Sequence, residues 1–129
     1  MKKTVSMVFA LVLVSALAIL AGCSLFFGVS SADAKKNLEA AGYTVTVMDG
    51  DTYADSEENK FNVISSDLVE YIHAVKGDDE IYLFYFFSIE IAESNYNFIH
   101  FDKLQSGQSN ELLYFGTAKA LKDCEGKAE

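Results

Sequence analysis

Hydrophobic and polar positions along this chain change their pattern twice. Val5 to Leu20 is an apolar run, interrupted only by Ser6 and Ser15, without a single charge. Beyond Ser30 the apolar positions separate and acquire helical or strand periods. Ala34, Leu38 and Ala41 recur at helical spacing, with Ser30 and Asp33 as candidate caps before them and Gly42 as the stop. "YTVTVMDG" alternates and is rich in β-branched residues, which predicts a strand ending at Gly50. "DTYADSEENK" has no period and reads as a polar, acidic loop, and Phe61 to Ile64 is long enough for a further short strand.

The centre of the chain carries the clearest signal. "LVEYIHAV" alternates, "KGDDE" is turn chemistry, and "IYLFYFF" is apolar at every position. That is a hairpin whose second strand lies inside its sheet. Phe84 and Phe86 then point to one face and Tyr85 to the other. From Ser88 the period becomes helical. Ile89, Ala92, Tyr96 and Ile99 share a face, Ile91 and Phe98 flank it, and Glu90, Glu93, Ser94 and Asn97 lie opposite. "LQSGQSN" reads as a loop and "ELLYF" as a last strand, and Gly116-Thr117 opens a short helix reaching about Cys124. This order predicts an α+β fold, a small two-layer sandwich with a mainly antiparallel sheet and helices packed on one face. It distantly resembles a ferredoxin-type split arrangement.

The apolar run at the start belongs to a different kind of pattern. Met1-Lys2-Lys3 is a basic lead, the run follows, and small residues precede a cysteine. Basic, apolar and small segments in that order are the layout of an export signal, not of a fold. Leu20-Ala21-Gly22-Cys23 resembles the lipobox of bacterial lipoprotein precursors. The resemblance implies signal-peptidase recognition through Leu20, Ala21 and Gly22, a diacylglycerol on the Cys23 thiol, and cleavage just before Cys23. The implied organisation is a signal peptide over 1–22, preceding the fold as a helix, a lipidated tether over 23–31 and one extracytoplasmic domain over 32–129. A plain signal-anchor is the rival, because apolar character continues through Leu25, Phe26, Phe27 and Val29 and a bilayer needs ~20 apolar residues. Both leave Lys2 and Lys3 in the cytoplasm and the folded part outside. Beyond the lipobox, the chain loosely resembles small Gram-positive surface lipoproteins for which no chemistry is established, in which a short Ala/Lys/Leu helix runs into "AGYTVTV".

Composition narrows the function classes. Removing 22 of the 129 residues leaves 107, enough for one domain with a modest core. That part keeps eight Lys against 19 acidic residues, a formal charge of −11, and the chain contains no Arg. Without the bidentate guanidinium fork, and with a repulsive field, nucleic acid is excluded as a partner. The same field disfavours lying flat on anionic lipid, so the domain is expected to stand off the surface on its tether. Cys23 is assigned to lipid, which leaves Cys124 without a disulfide partner.

Candidate chemistry is sparse. Asp49, Asp51, Asp55, Glu57 and Glu58 fall within ten residues, but counting a calcium loop from Asp49 puts Tyr53 at the fifth position, Ala54 at the sixth and Lys60 at the twelfth. The template requires oxygen ligands, a Gly and a Glu there, so the segment reads as a solvated acidic loop. His73 and His100 are the two histidines, and a zinc site would need both plus a ligand such as Glu70 or Glu93. There is no Gly-x-Ser-x-Gly elbow, "SGQSN" lacks the Lys of a phosphate loop, and Asp123 and Glu125 beside Cys124 give no reason for a reactive thiol.

The expectation is therefore a lipid-anchored, extracytoplasmic module of the cell envelope, not an enzyme, without metal or cofactor. Its partners are the membrane through Cys23 and an envelope protein. The alternative is a small-ligand or metal-binding, enzyme-like domain built from His73, His100 and the acidic loop.

Overall fold

The first helix, α1 (Ser31–Ala40), starts and stops where its own sequence dictates. Ser30 Oγ accepts the Asp33 amide at 3.1 Å, and Asp33 places a negative charge in the first turn. At the other end Gly42 adopts φ +96°, which lets its amide reach Glu39 O and the Tyr43 amide reach Leu38 O. This pair of bonds is a Schellman closure, and Leu38 and Tyr43 pack together in the core beside it. The computed structural model of the chain describes residues 28–126. The expected signal peptide, with Leu20, Ala21, Gly22 and Cys23, lies outside the described residues.

Five strands form one antiparallel sheet: β1 (Thr44–Asp49), β2 (Leu68–Lys76), β3 (Asp79–Phe86), β4 (Gln105–Ser109) and β5 (Leu112–Gly116). Their spatial order is β1-β2-β3-β5-β4, so β3 is central, as its unbroken apolar run predicts. β2 and β3 are joined by Gly77-Asp78, with Gly77 at φ +61° in the first turn position. Every neighbouring pair is antiparallel, and β3 and β4 run parallel with β5 between them, as in a split β-α-β unit.

The α+β class and the antiparallel sheet agree with the pattern of the chain, but the helices divide between the two faces instead of sharing one. α1 and α4 (Ala118–Cys124) cover the face that carries Ile72, Ala74, Ile81, Leu83 and Tyr114. The opposite face, with Tyr71, Phe84, Phe86, Leu113 and Phe115, is covered by α2 (Gly50–Ala54), α3 (Ile89–Tyr96) and the irregular segments that follow them. The physical reason lies in β3 itself. Phe84 and Phe86 point to one side and Leu83 and Tyr85 to the other, so both sides need a cover.

Two elements escape the sequence pattern. α2 forms inside the acidic stretch, capped by Asp49, whose Oδ1 accepts the Thr52 amide at 2.8 Å. β4 forms from "QSGQS", a polar edge strand in which Gly107 faces Tyr114. A Cβ there would come within 2.2 Å of the Tyr114 hydroxyl, so the glycine makes room for the ring. Phe61 to Ile64 is irregular, not a strand, and Val63 is its buried anchor. No helix among the described residues is long and apolar enough to cross a membrane.

Gly50 fixes how α2 meets the sheet. A Cβ on it would lie 2.1 Å from Leu68 O and 2.7 Å from Ser65 O, both backbone atoms. Alanine favours a helix by about 1 kcal/mol over glycine, but here overpacking dominates. Gly50→Ala should destabilise the domain by roughly 2–3 kcal/mol in a denaturant melt. A variant as stable as the parent would show that α2 is free to move off the sheet.

Candidate functional site

The α2–α3 face of the sheet brings ionisable side chains together near one end. His73 on β2 lies directly opposite Tyr82 on β3, and Tyr71 lies opposite Phe84. These four therefore share a face, and Glu80 joins them because it precedes Tyr82 by two strand positions. Above them the chain leaves α2 through Asp55 and folds back. Tyr53, buried at the base of this segment, donates its hydroxyl to Glu58 O at 3.1 Å. Asn59 accepts the Val63 amide at 2.9 Å and donates to Val63 O at 3.0 Å. That local brace turns Glu58 inward while Asp51, Asp55 and Glu57 stay exposed.

The result is a five-residue network with the imidazole at its centre. Glu58 Oε1 lies 3.3 Å from His73 Nδ1, and Glu80 Oε2 lies 3.1 Å from His73 Nε2. Each ring nitrogen of His73 therefore faces a carboxylate oxygen. Tyr71 donates its hydroxyl to the same Glu58 oxygen, and Tyr82 donates to Glu80 Oε2 at 2.7 Å. The His73 ring stacks on Tyr82 at 4.2 Å, and Tyr82 stacks in turn on Phe101 at 4.1 Å. Burial pushes the Glu80 carboxyl up, but the bonds from Tyr82 and His73 and the His73 charge outweigh it and hold it below the usual carboxylate range. Burial raises the Tyr71 and Tyr82 hydroxyls far above their ordinary value, and their carboxylate partners raise them further. Both therefore act as donors throughout the ordinary pH range.

Both nitrogens of His73 are engaged, no serine or cysteine side chain bonds to it, and no buried side-chain nitrogen or oxygen among the described residues lacks a partner. The network ties Glu58 of the acidic segment to β2 and β3. His100, the other candidate ligand, lies in the irregular segment beyond α3, not on the helix, and is exposed with its ring 6.1 Å from Phe61. Among the described residues no three His, Cys, Asp or Glu side chains converge in a way that could hold a metal ion. Glu70 and Glu93 thus complete no such group with the two histidines.

Cys124 is not on a loose tail. It closes α4, is fully buried against Leu38 and Leu121's cluster, and burial, then the Glu125 charge, push its thiol up to about 12. Such a thiol is inert at neutral pH. One open cleft, of about 330 Å³, lies between Gly28–Ser30, Tyr85 and the β4–β5 turn. Glu111 is the one charged side chain in its wall. Sequence reasoning marked His73 and the acidic segment but missed the roles of Glu80, Tyr71 and Tyr82. The alternation of β2 and β3 places all three on the His73 face, and that signal was available.

Glu58 separates from the rest of the acidic segment by experiment. Replacing Asp51 and Asp55 together by Asn should change stability by less than about 0.5 kcal/mol, since both are exposed. Glu58→Gln, which removes the carboxylate charge facing His73 and weakens the bond from Tyr71, should cost about 1 kcal/mol after allowance for partial exposure. Thermal melts check both, and calcium should leave all of them unmoved. A saturable rise in melting temperature with calcium, lost in the Asp51/Asp55 double variant, would instead place a cation in this segment.

Compared with family models, curated proteins and solved structures, the chain finds no match.

Proposed function

We propose that this chain is a lipid-anchored, extracytoplasmic, non-catalytic domain that binds another component of the cell envelope. The observation that carries the reading is Leu20-Ala21-Gly22-Cys23, placed after a basic lead and an apolar run, eight residues before α1 begins. A thioether-linked diacylglycerol on Cys23 would hold the domain at the outer surface of the membrane. The closed His73 network and the buried Cys124 support a domain that holds its shape instead of turning over a substrate. A net charge of −11 on the part beyond residue 22 leaves nucleic acid aside and suits a partner without a strong negative field.

Cys23→Ala tests the anchor. The variant should lack the acyl mass, and it should leave the precursor uncut or shed the domain from the membrane fraction. A Cys23→Ala protein identical to the parent in mass and fractionation would sink the lipoprotein reading. Co-purification from detergent-solubilised membranes then tests the binding role, with the parent chain expected to bring down a stoichiometric envelope protein. A monomer without companions would remove that part of the proposal.

A further inference from the structure

The sheet has two unlike ends. One end gathers the start of β2, the end of β3 and the β4–β5 turn, because Leu68 pairs with Phe86, Tyr85 with Leu112 and Leu112 with Ser109. Four large apolar side chains stand exposed in the segments at this end: Ile64 (61%), Val69 (43%), Phe87 (61%) and Ile89 (41%). Val69 owes its position to the bulge between Leu68 and Glu70, and the Phe87 amide is fixed by Asp67 O at 3.1 Å. The other end carries Lys76, Gly77, Asp78 and Asp79 with Val75 exposed beside them, and the remaining exposed large apolar side chain among the described residues, Phe98 (68%), lies in the segment between α3 and β4.

The chain enters the domain at the apolar end. Tyr85 donates its hydroxyl to Val29 O at 2.9 Å, and Gly28 lies close against Ser109 and Leu112. Five residues separate Gly28 from Cys23, a span of at most about 18 Å when fully extended. Three of the four residues between them, Leu25, Phe26 and Phe27, are themselves apolar.

From this coincidence we infer that the end carrying Ile64, Val69, Phe87 and Ile89 rests on the lipid bilayer, so that the domain is docked end-on instead of standing off on its tether. The inference rests on lipidation of Cys23, as proposed above. The net negative charge opposes flat adsorption, but the acids at this end, Asp33, Asp49, Asp67, Glu70, Glu90 and Glu111 among them, are a minority of the 19, and an uncharged lipid surface does not repel them. A contact too weak to recruit a free domain becomes populated once the tether makes it intramolecular. Aromatic and aliphatic side chains at such an end enter the boundary between headgroups and acyl chains.

The chain contains no Trp, so one introduced Trp reports its own surroundings. The full chain carrying Phe87→Trp is lipidated, checked for acyl mass on Cys23, and reconstituted in phosphatidylcholine vesicles with brominated acyl chains. Its emission should be blue-shifted and quenched by the bromines, whereas Val75→Trp at the opposite end should be neither. Ile64→Trp, at an equally exposed site, provides a second reading should Phe87→Trp fail to fold. Missing acyl mass would defeat the anchor itself. Correct acyl mass with Phe87→Trp and Ile64→Trp as unquenched as Val75→Trp would overturn the docking and leave the anchor standing. Blue-shifted but unquenched emission would mean that protein, such as a second copy, covers this end, and would overturn it equally.

Discussion

Raised above pH 10, the domain should lose stability steeply and unfold cooperatively before pH reaches about 12. Tyr53 and Tyr71 are each 1% exposed, and burial pushes both hydroxyls far above their ordinary value of 10.0. The nearby Glu58 charge raises each further, and Tyr71 also donates to that carboxylate. In the unfolded chain both ionise near 10, while in the folded state they keep their protons. Their contribution is therefore complete below pH 10 and falls as pH rises, by about 1.4 kcal/mol per unit for each tyrosine. At pH 12 these two alone remove roughly 5 kcal/mol, comparable with the whole stability of a small domain. Tyr43, Tyr82 and Tyr85 are raised by burial too and add in the same direction. Circular dichroism and tyrosinate absorbance should change together in one step, and Tyr71→Phe should move that step to higher pH. Gradual ionisation of all seven tyrosines near pH 10 without loss of structure would show that the hydroxyls are reachable in the folded state.

Phe84→Ala should be the most damaging single truncation in the core. Phe84 is fully buried on the central strand and meets Tyr53, Tyr71 and Phe115 edge-on at ring distances of 5.8, 5.2 and 5.9 Å. Phe86 stacks parallel to it at 6.2 Å. Four rings from β2, β3, β5 and α2 thus lose their common neighbour, and none can collapse into the gap without leaving its own strand or helix. Removal of a buried Phe costs about 3–5 kcal/mol, which in a domain of this size lowers the melting temperature by more than about 10 °C. A Phe84→Ala domain melting within a degree of the parent would show that this face is loosely packed.

The same strand explains how much of the fold was legible. "IYLFYFF" announced a central strand because no single-sided burial tolerates seven apolar residues in succession. Ser30, Gly42 and Thr117 announced helix ends because capping is a local bond between near neighbours. β4 was not legible. "QSGQS" has neither apolar alternation nor β-branched residues, and it becomes a strand because β5 offers an unpaired row of amides and carbonyls and Tyr114 fills the space over Gly107. α2 was missed for a similar reason. Five residues are too few for a helical period, and what holds them is Tyr53 in the core and the close fit of Gly50 on the Leu68 carbonyl.

The candidate site divides along the same line. His73, Tyr71, Tyr82 and Glu80 share one face through strand alternation and the β2–β3 register, both fixed by the hairpin sequence. Glu58 joins them only because α2 and the Asn59 brace fold the acidic segment back over β2. Composition, the lipobox resemblance, the helix caps and the hairpin follow from residues adjacent in the chain, whose physics is short-ranged. The division of helices between two faces, the polar edge strand, the histidine held by two carboxylates and the apolar end where the chain enters the domain arise from contacts between distant segments. No local pattern encodes such contacts, because their free energy exists only once the sheet has brought both partners together.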